Sequence, residues 1–175
     1  MIFTTKAEYG VRLLVELGRH HGDGPVSLKV IAEAEGLPLA YLERIVALLK
    51  KAELVESTRG AHGGYRLARD PASVQMDEVI LALEGVVAPM SCFVDDTQEG
   101  RVLCSHVADD RGACATRLLW LRVHGGVMEK LSETTLAELV AFAGGPAASS
   151  PHVPASVLTS TAPSASRAPA SIPAS

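Results

Sequence analysis

Residues 54–70, LVESTRGAHGGYRLARD, break the spacing that governs the chain before them. Upstream, apolar residues recur every three or four positions; here they alternate, and Gly60-Ala61-His62-Gly63-Gly64 interrupts the alternation at its middle. Alternation is the period of a strand with one covered face, and a glycine cluster between two such runs supplies the φ angles of a tight turn. The stretch therefore reads as two short strands joined at a glycine tip. A hairpin placed directly behind a run of short helices restricts the possible folds sharply.

Those helices can be read in order. In TTKAEYGVRLLVELGRHH, the residues Ala7, Val11, Leu14, Val15 and Gly18 fall at helical spacing. Ser27 is placed to cap LKVIAEAE, and Gly36 to stop it. A third helix begins around Pro38, a residue suited to a first turn. Within PLAYLERIVALLKK, the residues Leu42, Ile45, Val46 and Leu49 form one buried stripe, and Ala40, Tyr41, Glu43, Arg44, Ala47 and Lys51 form the opposite face. After the hairpin, MDEVILALEG is a short helix, and TRLLWLRVHGGVMEKL, residues 116–131, a long one despite Gly125 and Gly126. Thr135 and Glu138 have capping-box spacing before LAELVAF. The expected fold is mainly α with a small β-hairpin wing: a winged helix-turn-helix domain, a long helix, and a cysteine-bearing loop before that helix.

Two helices joined by a tight turn and followed by a hairpin place the second helix in the DNA major groove and the hairpin tip against the backbone or minor groove. The outward residues suit that role. Arg44 can reach a guanine edge, Tyr41 can hold a phosphate or stack, and Lys50 and Lys51 can neutralise phosphates. Arg59, beside Gly60 at the tip, suits a narrow and strongly negative minor groove. Ala40 and Glu43 complete the reading face. The net charge of −4 argues against indiscriminate nucleic-acid binding, so contact with DNA must come from this placed patch.

Other features bound the setting. MIFTTKAEYG lacks the basic-then-apolar pattern of a secretion signal, and no apolar run approaches the roughly 18 residues of a membrane helix. A cytoplasmic protein with no membrane partner is expected. Residues 146–175 hold six prolines, eight alanines and eight serines, which reads as a disordered tail. Three cysteines, Cys92, Cys104 and Cys114, lie in polar surroundings, and an odd number is a poor disulfide framework in a reducing compartment. Thiolates are soft ligands for iron–sulfur clusters and zinc, and reversible thiol oxidation is the other chemistry such residues offer.

From Ser27 to Pro71, the segment carries YLE-x₅-L-x₂-A-x-LV-x₃-RG-x₂-GGY-x-L. The opening T-K-x-x-Y-x-V-R, the segment ALEGVVAP and the later C-x-T-x-x-LW accompany it. With these motifs, residues 1–143 resemble the winged-helix iron–sulfur cluster regulators typified by IscR and NsrR. The resemblance implies a homodimeric transcription factor, a repressor of a double-stranded DNA operator with no small-molecule substrate. It also implies a DNA-binding part in 1–70, a cluster loop at about 90–115 and a dimerisation helix at about 115–131, with 144–175 left as the tail. Cys92, Cys104 and Cys114 then correspond in order to the family's cluster cysteines, although gaps of eleven and nine residues are longer than usual there. A 2Fe–2S and a 4Fe–4S cluster both remain open, sensing iron–sulfur status, redox state or nitric oxide.

The fourth ligand departs from one branch of the family. IscR-like members place a histidine three residues after the third cysteine, where this chain has Arg117, which cannot coordinate a metal. NsrR-like members use an acidic residue near the N-terminus, donated by the partner subunit, and Glu8 stands at the matching place. His106, two residues from Cys104, is a further candidate. Two rival functions are carried alongside: a cluster-free thiol switch on the same DNA-binding scaffold, and a cysteine enzyme built on Cys104 and His106. The second lacks a C-x-x-C motif, a nucleophile elbow and an obvious pocket. No enzymatic activity is expected.

Overall fold

The computed structural model describes residues 3–60, 63–85 and 115–145. The elements run α1 (Thr5–Arg19), α2 (Leu28–Glu35), α3 (Leu39–Lys51), β1 (Val55–Thr58) and β2 (Gly64–Leu67), then a 3-10 turn (Pro71–Ser73), α4 (Met76–Glu84), α5 (Ala115–Glu133) and α6 (Leu136–Gly144). The chain divides into two units after Gly144, and these elements belong to the first. The cysteines, His106, the cluster loop and residues 146–175 lie outside the described residues.

At the centre is α1, which touches α2, α3, α4, α6 and β2. Enclosure on several sides explains why its buried face is wider than its sequence spacing indicates. Leu13, Leu14 and Leu17 are buried along with Ala7, Gly10 and Gly18, whereas Val11 and Val15 are only half-buried. Two glycines permit close approach. A Cβ on Gly18 would meet Val140 Cγ2 of α6 at 2.5 Å, and one on Gly10 would collide with the Leu83 side chain of α4.

The helix-turn-helix pair follows its sequence signals with two adjustments. Gly36 ends α2 in the left-handed region, at φ 63°, where glycine meets no Cβ penalty. Ser27 occupies the N-cap position of α2 without a side-chain capping bond. Pro38 stands at the N-cap of α3, one position earlier than a first-turn residue, and its carbonyl accepts the amides of Tyr41 and Leu42. The stripe expected in α3 is observed whole: Leu42, Ile45, Val46 and Leu49 are all buried in the main core.

Behind α3 the hairpin is antiparallel, with Val55 opposite Leu67 and Thr58 opposite Gly64. Gly60, at φ 118°, opens the turn, and the Gly63 amide donates to the Gly60 carbonyl at 3.0 Å. Gly64 is required for another reason. Val26, just before α2, exchanges two 2.8 Å backbone hydrogen bonds with Tyr65, and a Cβ on Gly64 would stand 2.5 Å from the Val26 carbonyl carbon. The wing is thus stitched to the start of α2 as well as to α3. The capping box expected at the last helix is present, with Glu138 Oε1 accepting from the Thr135 amide and hydroxyl, and Thr135 Oγ1 accepting from the Glu138 amide.

Candidate nucleic-acid interface

The core stripe of α3 fixes which side chains face outward. Ala40, Glu43, Arg44, Ala47, Lys50 and Lys51 are exposed, and Arg59 and Gly60 are exposed at the hairpin tip. Several arginines elsewhere in the domain are already paired. Arg12 bonds Glu35 through Nε at 2.8 Å, Arg66 pairs with Glu56 across the hairpin, and Arg69 pairs with Glu78. By contrast Glu43, Arg44, Lys51 and Arg59 have no hydrogen-bond or ion-pair partner among the described residues. Cations left unpaired on one outward face are available to phosphates and base edges.

Two residues expected at this surface have a structural task as well. Tyr41 is half-buried, and its ring meets that of Tyr9 edge-on, with centroids 5.6 Å apart and planes at 85°. Such a pair stabilises α3 against α1 beyond simple area burial. Lys50 Nζ donates to Ser57 Oγ at 2.7 Å, fastening the end of α3 to β1 and so fixing wing and helix relative to each other. Neither tie was legible in the sequence, because each joins residues on different elements through side-chain direction.

If Arg59 enters a groove, Arg59→Ala weakens operator binding by about 1–3 kcal/mol. An exposed tip residue without a partner among the described residues leaves folding unchanged, so thermal stability should match the parent. Fluorescence anisotropy on the operator measures the loss, and unaltered affinity removes the wing from the interface.

Of the expected cluster ligands, only Glu8 falls among the described residues. It sits in the first turn of α1, exposed, and no hydrogen bond or ion pair engages it among those residues. Arg117 is exposed on α5. No group of three or more histidine, cysteine, aspartate or glutamate side chains suited to a metal occurs among the described residues. Helix α5 itself has no buried residue, and Leu118, Leu119 and Leu121 are 53%, 57% and 47% exposed. No helix among the described residues is long and apolar enough to cross a membrane.

Comparison with known proteins places this geometry. A profile of the Rrf2 family, described as iron-dependent transcriptional regulators, matches residues 3–141. The chain is 37% identical over 145 residues to the transcriptional regulator CymR of Bacillus subtilis, which covers 83% of this chain and 94% of that protein. It is 38% identical over 140 residues to the regulator IscR of Sodalis glossinidius, with 80% and 79% covered. Among solved structures, IscR of T. potens superposes with a TM-score of 0.65 at 37% identity, covering 81% of this chain and 87% of that one.

Proposed function

The chain belongs to the Rrf2 family of DNA-binding transcriptional regulators, and from that premise we propose that it is a cytoplasmic homodimeric repressor whose operator affinity is set by an iron–sulfur cluster. The observation that carries DNA reading is the set of exposed side chains on α3 and the wing tip, Glu43, Arg44, Lys51 and Arg59, which have no partner among the described residues and are backed by a helix face wholly buried in the core. Arg44 contacts a guanine edge, Glu43 accepts from a cytosine amine, Ala40 lies against the groove, and Lys51 and Tyr41 meet phosphates. Arg59 and Gly60 follow the minor groove beside them.

Homodimer formation is supported by α5. Three leucines about half exposed within four residues of one helix are more apolar surface than a solitary helix leaves in water, and a second copy covers them. Two reading heads then address a roughly palindromic operator.

The donor set fits an iron–sulfur group. Cys92, Cys104 and Cys114 offer three soft thiolates, and the carboxylate of Glu8, unengaged among the described residues and donated across the dimer, offers the fourth ligand. When bound, the cluster supplies a centre that responds to oxidation, nitric oxide or iron supply. The chain's own part is to hold it between the cysteine segment and α1 and to convert its presence into a different placement of α3. A coupling of about 1–3 kcal/mol suffices for a several-fold to about 150-fold change in operator affinity.

Anaerobic purification with a visible spectrum and iron and sulfide assays on one sample tests the cluster. A coloured protein with matching iron and acid-labile sulfide is expected. A protein that stays colourless after reconstitution replaces the cluster by a thiol switch. That second reading draws on the similarity to CymR, whose B. subtilis member is described as the global cysteine regulator.

A further inference from the structure

Three helices of this fold begin with a carboxylate folded back over their first amides, but one of them borrows it. In α4, Glu78 accepts from the Gln75 amide, and in α6 Glu138 does the same for Thr135, each three residues along its own helix. The equivalent position of α1, three beyond its N-cap Thr4, is Ala7, which has no acceptor. Glu84, the last residue of α4, takes its place from across the core. Its Oε1 accepts from the Thr4 amide at 3.2 Å, the Thr4 hydroxyl at 2.5 Å and the Ala7 amide at 3.2 Å. Its Oε2 lies 3.7 Å from Lys6 Nζ, and its side chain is only 11% exposed.

We propose that Glu84 is a positioning residue of the switch: it holds the first turn of α1, and with it Glu8, against the end of α4 from which the cysteine segment continues. The proposal rests on the cluster reading above and adds the route by which that segment reaches the reading helix. With the cap supplied by Glu84, the acidic residue in the first turn of α1, Glu8, has no hydrogen-bond or ion-pair partner among the described residues. Within one turn, Leu83 is seated on Gly10, where an added Cβ would stand 3.0 Å from Leu83 Cδ2. Between them Tyr9 meets Tyr41 of α3 edge-on. Residues 4–10 of α1 therefore bear contacts to both the root of the cysteine segment and the helix that faces DNA. Burial pushes the Glu84 pKa up, but the Thr4 hydroxyl and amide, the Lys6 charge and the Ala7 amide together outweigh it. The net value lies below that of an ordinary glutamate, so the hydrogen bonds and Lys6 favour the charged form of the clamp.

The test uses the full-length protein, with Thr135→Ala as a control that removes a helix cap of the same kind elsewhere. Amide hydrogen exchange at Ala7, and operator affinity with and without the reconstituted cluster, are measured for each. Glu84→Ala is expected to speed Ala7 exchange at least tenfold and to shrink the ratio of the two affinities to within twofold of unity. The cluster-free affinity should stay within twofold of the parent's. Thr135→Ala should leave both the exchange and the ratio unchanged. Unchanged Ala7 exchange, or a parental ratio in Glu84→Ala, overturns the assignment, as does an equal loss of ratio in the control. If Glu84→Ala does not fold, Glu84→Gln, which keeps an acceptor but gives up the charge, is read in the same way: a reduced ratio supports the assignment and a parental one overturns it. A parent protein whose affinity ignores the cluster refutes cluster control instead, and the Ala7 exchange then decides the clamp by itself.

Discussion

Cys114→Ala abolishes retention of the iron–sulfur group: the purified variant carries neither its visible absorption nor stoichiometric iron and acid-labile sulfide. The expectation follows from ligand chemistry. A methyl group cannot replace a thiolate, and the proposed set of three cysteines and one carboxylate has no spare sulfur. Cys114 directly precedes α5, which begins at Ala115, so the substitution removes a proposed ligand and no residue of the described core. Circular dichroism and the melting temperature of the cluster-free proteins should coincide for parent and variant. Operator affinity in the variant should take one value whatever the iron and sulfide supply, where the parent is expected to show two. An intact cluster spectrum in Cys114→Ala would sink the ligand assignment.

Leu49→Ala acts on the other half of the molecule. Leu49 is 0% exposed, on the inner stripe of α3, and its carbonyl accepts the Leu54 amide at the turn into β1. Removing a buried leucine side chain costs about 2–5 kcal/mol, through lost transfer energy and the cavity left behind. Domains of this kind have about 5–15 kcal/mol in all, so the variant loses a large part of its stability. At about 2–4 °C per kcal/mol for this chain length, the melting temperature falls by roughly 4–20 °C. The exposed face should respond in the opposite way. Arg44→Ala should leave melting nearly unchanged, because Arg44 has no partner within the described residues, and, on the proposed reading of a guanine edge, should weaken operator binding by about 1–3 kcal/mol. A Leu49→Ala protein that melts within about 1 °C of the parent would show that α3 is not held by this stripe.

Much of this architecture was legible in the residues. Periodicity located the helices, and Gly36, Thr135 with Glu138, and the Gly60–Gly64 cluster marked their boundaries and the wing, because each is a local device whose partners lie within a few positions. The stripe of α3 was complete for the same reason: one face is covered and the opposite one faces outward. The stripe of α1 was read too narrowly. Periodicity reports a single covered face, and α1 is enclosed on several, so Leu13 and Leu17 joined the core. In the candidate interface the outward residues of α3 and the tip were found from spacing, but the second tasks of Tyr41 and Lys50 were not, since Tyr9 and Ser57 lie on other elements.

What the sequence determined by itself is the order of helices, the hairpin and its turn, the face of α3 turned outward, and a cysteine set that asks for a soft metal or for redox chemistry. These depend on neighbours along the chain, through backbone preference, period and side-chain type. The tertiary structure decided which charges are already paired and which have no partner among the described residues. It also decided that Gly64 is required by Val26, and that α1 is capped by Glu84, eighty residues away from Thr4. The physical reason is reach. A hydrogen bond or ion pair forms only within about 3–4 Å, and which distant groups come that close is set by the packing of whole helices.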